Sequence, residues 1–205
     1  MTPLVWLHLV LQCTPLGALL ANQHWALIHE GLHGNLPRWQ TVALCALFGS
    51  PMGALQRYHI RHHMNNRISE RIDALPAWLY YPQLLGGLYV LEVLLCLTRW
   101  SGPLILLVQV GLLWAWGWWY VGALVVRALL ISVMDYVYHY GGAIELKQGH
   151  DLDAGRWGER YLLGFNLHGA HHRSPLTPGP DLRVTQYTGR LWPAIFNQFK
   201  GPLHV

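Results

Sequence analysis

The sequence predicts an all-α integral membrane protein: about three long transmembrane helices, a short re-entrant or interfacial segment, and a cytoplasmic histidine-rich cap. Three observations carry this. Hydrophobic residues make up 53% of the 205 and charged residues only 12%, about half the charged share of an ordinary soluble domain. The apolar residues gather in runs long enough for the ~20 residues that cross a bilayer core. The 13 histidines cluster where those runs end. The length suits a single domain over residues 1–205.

The first run, residues 4–28, contains no Lys, Arg, Asp or Glu and predicts a membrane helix ending near His29 and His33. The first basic residue is Arg38, so the run lacks the positive leader of a cleaved signal and reads as a retained helix. Residues 41–55 are apolar but interrupted by Gly49, Pro51 and Gly53. They are too short to span and predict the re-entrant or interfacial segment. Residues 74–98 carry only Glu92 and predict a second helix, running outward and turned by Gly102 and Pro103. From Leu104 a third helix returns, and its pattern continues to Gly141 and Gly142. As one helix, residues 104–140 would measure ~55 Å against a ~30 Å hydrocarbon core, so the last turns should project beyond it. Residues 144–160 read as a polar loop, followed by a short helix around 160–172 and a tail rich in Pro and Gly.

Charge orients the path. Every Lys and Arg except Arg99 lies between Arg38 and Arg71 or between Arg127 and Lys200. The positive-inside rule puts those stretches in the cytoplasm, with the N-terminus and the 99–102 turn outside. The net charge of +4 follows this topology and forms no patch, which argues against nucleic acid as a partner. Cys13, Cys45 and Cys96 lie in apolar runs without ligand spacing and read as buried thiols. Glu92, a carboxylate inside a predicted span, is expected to be neutral or paired with Arg99.

The histidines carry the chemistry. His29 and His33 stand four apart in "HEGLH"; His59, His62 and His63 form "HIRHH"; His168, His171 and His172 form "HGAHH"; His139 ends "DYVYH". Spacings of three and four place imidazoles on one helix face, and the predicted topology gathers all four groups on one side of the membrane. "HEGLH" alone matches the zinc-protease pattern, with Glu30 as base. A catalytic zinc needs only three protein ligands. Nine imidazoles suit two metals with open positions, and no nearby cysteine favours copper(I) or iron–sulfur. His24 is off the face of His29 and is expected to hydrogen-bond; His8, His150 and His204 read as bystanders. Trp114, Trp118 and Trp119, in "WAWGWWY", read either as an aromatic belt at the membrane interface or as walls of an acyl tunnel.

The order HxxxH, HxxHH, HxxHH, with flanks "QRYHIRHHMNN" and "FNLHGAHHRSP" and "MDYVYHYG" between them, resembles the membrane fatty-acid desaturases over residues 24–180. The resemblance implies two Fe²⁺ ions held by His29, His33, His59, His62, His63, His139, His168, His171 and His172, with O₂ as co-substrate. It implies a fatty acyl lipid as substrate, a double bond as product, and electrons from a separate ferredoxin-like donor. Asp135, one turn before His139, is expected to reach a metal through water or to orient that imidazole. Asn166 and Glu30 are expected beside the ligands. Against the family pattern, no helix precedes the one bearing the first box, so a homo-oligomer that closes the substrate tunnel is a further expectation. The rival outcomes are hydroxylation or ketone formation on an acyl chain or carotenoid, and a non-catalytic metal-binding membrane protein.

Overall fold

The computed structural model describes residues 2–65, 102–139 and 149–198. They fall into two compact units, each drawn from separate stretches of chain. The second predicted membrane helix, with Glu92, Cys96 and Arg99, lies outside the described residues, as do Gly141, Gly142 and His204.

The first unit holds α1 (Thr2–Leu11), a 3₁₀ segment (Pro15–Leu20), α2 (Ala21–Leu32) and α3 (Arg38–Phe48), then the start of α4 (Met52–Asn65). It also holds α5 (Gly102–Trp116) and residues 118–131 of α6 (Trp118–His139). Residues 4–28 therefore do not form the single helix expected. Pro15 has no N–H to donate and disfavours helical geometry at the residue before it. Thr14 is accordingly extended, at φ −128° and ψ 157°, and its hydroxyl donates to the Leu11 carbonyl at 2.8 Å. Taken alone, helices of 10 and 12 residues are ~15–18 Å long, and the 3₁₀ segment runs directly into the second.

The expected third helix is present with one interruption. Gly117 adopts a left-handed φ of 53°, which separates α5 from α6. Among the described residues α6 alone is long and apolar enough to cross a membrane, and α5 is apolar but shorter. Leu104, Leu107, Val110 and Trp114 all stand exposed on α5. A contiguous apolar surface of this kind needs lipid or a partner to cover it.

The predicted re-entrant run is two helices meeting at Gly49–Pro51. Gly49, at φ 99°, closes α3. Its N–H reaches Ala46 O at 3.2 Å and the Ser50 N–H reaches Cys45 O at 3.0 Å, the pairing of a Schellman end. Gln109 Nε2 donates to Ala46 O at 2.9 Å and Arg127 Nη1 to Leu47 O at 3.2 Å. The Arg127 guanidinium also lies 4.8 Å over the Phe48 ring. Arg127 is buried, and these carbonyl and ring contacts offset part of the cost of burying its charge. His24 makes the expected hydrogen bond, to Leu44 O at 3.0 Å. His8, read as a bystander, pairs with Gln23 Oε1 at 3.0 Å.

The second unit comprises the ends of α4 and α6, β1 (Leu152–Asp153), α7 (Gly155–Leu162), α8 (His168–Arg173), β2 (Gly189–Arg190) and α9 (Leu191–Asn197). The short helix expected at 160–172 is thus two helices, and residues 155–159, read as loop, begin the first. Leu163 and Gly164, at φ 55° and 78°, turn the chain between them. A Cβ on Gly164 would collide with the Gly179 carbonyl, so only glycine fits that turn. The Pro/Gly-rich tail is also folded. It returns so that β2 pairs in parallel with β1, Leu152 opposite Gly189 and Asp153 opposite Arg190. Thr188 secures the return by donating its N–H and hydroxyl to Asp151 O, at 2.7 and 3.0 Å.

Candidate metal centre

Within the second unit, three helices present imidazoles. The end of α4 carries His59 and His63, the end of α6 carries His139, and the six-residue α8 carries His168, His171 and His172. His62 lies on α4 as well, but its side chain is outside what is described. His59, His139, His168 and His171 are all buried.

The rings form two trios. In one, His63 Nε2 lies 2.9 Å from His59 Nε2 and 3.0 Å from His171 Nε2. In the other, His168 Nε2 lies 2.9 Å from His139 Nε2 and 3.0 Å from His172 Nε2. Helix α8 divides its histidines between them, and the His172 ring is 4.6 Å from both His63 and His168. Hydrogen bonding accounts poorly for such trios. The middle nitrogen has either one proton or one in-plane lone pair, and it cannot make two well-aligned bonds with it. A cation between the three lone pairs satisfies all of them.

The spacing discriminates further. At a metal–nitrogen distance of about 2.1 Å, ligands at right angles have nitrogens about 3.0 Å apart, whereas tetrahedral ligands stand about 3.4 Å apart. The observed 2.9–3.0 Å fits the wider coordination of an octahedral-type ion. An all-imidazole donor set without sulfur suits iron, zinc, copper or nickel among the first-row metals. The two trios therefore fit two such ions.

Surrounding contacts fix the rings. His139 Nδ1 donates to Asp135 O at 2.8 Å, which leaves Nε2 as the ligand atom. The Asp135 carboxylate is 3.5 Å from the same nitrogen. Tyr138, fully buried, stacks on His168 at 5.4 Å and 19°, and Phe165 meets His168 edge-on at 5.2 Å. Asn166, two residues before His168, donates its side-chain amide to Leu152 O at 2.7 Å, and its backbone carbonyl accepts the Leu152 N–H at 2.9 Å. It ties the entrance of α8 to β1.

Sequence reasoning missed Asp151. Its buried carboxylate accepts the Ala170 N–H at 2.7 Å and Arg173 Nη2 at 2.7 Å. It caps the first turn of α8 from 19 residues away. The close approach of Gly149 was missed too. A Cβ there would fall 2.6 Å from His168 Cδ2 and 2.9 Å from Tyr138 O. Gly149→Ala should therefore push His168 off its position and weaken metal binding by about tenfold or more. Metal content after dialysis against a graded chelator would read this directly. Retention equal to wild type would mean that the packing behind His168 can yield. His150, read as a bystander, is buried behind the same helix, its N–H on Tyr138 O at 2.7 Å.

In the first unit, His29 and His33 end α2 with ring centroids 4.9 Å apart. Burial holds the His33 imidazole below its ordinary pKa, which favours the neutral form a metal requires. Glu30 Oε2 accepts the Asn35 amide at 2.9 Å, and its other oxygen lies 3.9 Å from His29 Nδ1. Trp114, Trp118 and Trp119 are 89%, 86% and 78% exposed. They stand outward on α5 and α6, and they line no cavity among the described residues.

A family model described as fatty acid desaturase matches residues 76–188, more than half the chain. The match takes in His139, His168, His171 and His172 and stops short of His29, His33, His59, His62 and His63. No curated protein and no solved structure matches the chain.

Proposed function

The chain belongs to the fatty acid desaturase family, and from that premise we propose that it introduces a double bond into a fatty acyl chain with two irons and O₂. Family membership makes it an oxidoreductase of the fatty-acyl desaturase or oxygenase type. The finer reading is supported above all by the two imidazole trios on either side of α8, with nitrogens at 2.9–3.0 Å.

His29, His33, His59, His62, His63, His139, His168, His171 and His172 are the proposed ligands of two Fe²⁺ ions. When bound, the irons would activate O₂, the oxidant needed to take hydrogen from an unactivated methylene. The chain's own groups fix that chemistry in space. Asp135 O holds His139 in one tautomer, and Tyr138 and Phe165 brace His168. Asp151 locks the first turn of α8. Such positioning matters because misplacement by ~1 Å can cost a hundredfold in rate. Electrons are proposed to come from a separate ferredoxin-like protein. The family is membrane-associated. A multi-pass topology with the histidines on the cytoplasmic face is proposed from the Lys and Arg distribution, and a homo-oligomer is proposed as the tunnel-closing assembly.

Iron-reconstituted protein should hold close to two irons per chain. With a labelled fatty acid, O₂ and a reducing system it should give a product lighter by two hydrogens. A product heavier by an oxygen from ¹⁸O₂ would make it a hydroxylase. One tight zinc with peptidase activity would return "HEGLH" to the protease reading.

A further inference from the structure

The parallel β1–β2 pair has a consequence for the surface of the second unit. Helix α7 starts two residues after β1 and α9 directly after β2, so the two helices start from the ends of paired strands. Each puts a tryptophan into its first turn. Trp157 is 77% and Trp192 56% exposed, and Phe196, one turn beyond Trp192, is 74% exposed. The opposite sides of these helices are occupied inward by Leu162, Leu191 and Ala194.

The charges around these rings have one sign outward. Arg156, Arg160 and Arg190 are exposed, and the Arg160 guanidinium lies 5.6 Å from the Trp157 ring. The neighbouring carboxylates are less exposed and internally engaged. Asp153 Oδ1 accepts the Gly155 N–H at 2.8 Å, and Glu159 Oε1 accepts the Tyr187 hydroxyl at 2.7 Å. Protruding aromatic rings ringed by arginine match the interfacial zone of a bilayer, where rings sit at headgroup level and guanidinium meets phosphate. An acidic protein would answer the arginines. Three large apolar side chains held out from the surface call for an apolar phase as well.

We propose that this face of α7 and α9 rests on an anionic lipid leaflet, with Trp157, Trp192 and Phe196 entering the headgroup layer and Arg156, Arg160 and Arg190 meeting lipid phosphates. This stands independently of the reaction proposed above. The test is backbone hydrogen exchange of the whole protein in nanodiscs. Residues 155–162 and 191–197 should exchange about fivefold more slowly in discs containing phosphatidylglycerol than in discs of phosphatidylcholine alone. Arg156→Gln, Arg160→Gln and Arg190→Gln together should abolish that difference while iron content stays unchanged. Equal exchange in both lipids, or a difference that survives the triple substitution, would overturn the proposal. Protection by an added acidic ferredoxin and not by phosphatidylglycerol would overturn it in favour of a protein-docking face.

Discussion

His168→Ala is expected to remove one metal and reduce turnover at least a hundredfold, more than the ~10–100-fold typical of losing a group that merely supports a ligand. His168 is the middle of its trio, with Nε2 within 3.0 Å of both His139 and His172. Without it, two of the described imidazoles remain in that trio, fewer than the three protein ligands a catalytic metal ordinarily takes. Iron per chain should fall from near two toward one, because His59, His63 and His171 form their own group. Elemental analysis beside circular dichroism separates this from unfolding. Full iron content in a folded His168→Ala protein would strike His168 from the ligand set.

Asp151→Ala is expected to have the next largest effect although Asp151 is not a proposed ligand. The substitution strips the Ala170 N–H and the Arg173 guanidinium of their acceptor together. Leaving a buried donor unsatisfied costs about 1–3 kcal/mol. The cost falls on the short helix that carries three of the imidazoles. Metal affinity should drop by about 10–100-fold, with a lowered melting temperature. Asp151→Asn should restore part of both, since its amide oxygen still accepts from Ala170. Unaltered metal affinity in the alanine variant would show that α8 is held by its other contacts.

What could be read from the sequence follows from the range of the forces involved. His59 and His63 share a helix face by spacing alone, as do His168 and His172, so their pairing was legible before any tertiary contact. A site for metal was legible from the surplus of imidazole, whereas iron in particular came only from the resemblance to the desaturases. The break at Thr14–Pro15 was written in the sequence but hidden by the apolar run around it, because hydropathy does not register a missing N–H. Asp151 was not legible. Its capping role depends on the chain closing a loop to Ala170, and nothing local marks that. The same holds for β1 and β2, two residues each, too short for any periodic pattern. Trp114, Trp118 and Trp119 stand outward, and no local spacing tells an interfacial ring from a tunnel wall.

The hydrogen bonds from Thr188 to Asp151 also set an order of events during synthesis. Asp151 holds α8 with its side chain while its own carbonyl is held by Thr188. The third histidine group is therefore complete as sequence at His172 but not secured until residue 188 has emerged and folded back. A nascent chain stalled between these points would display its histidines without the frame that spaces them. Metal capture by this group is therefore expected late in biogenesis, and a tag or cleavage site inserted between Arg173 and Thr188 is expected to act on assembly before it acts on catalysis.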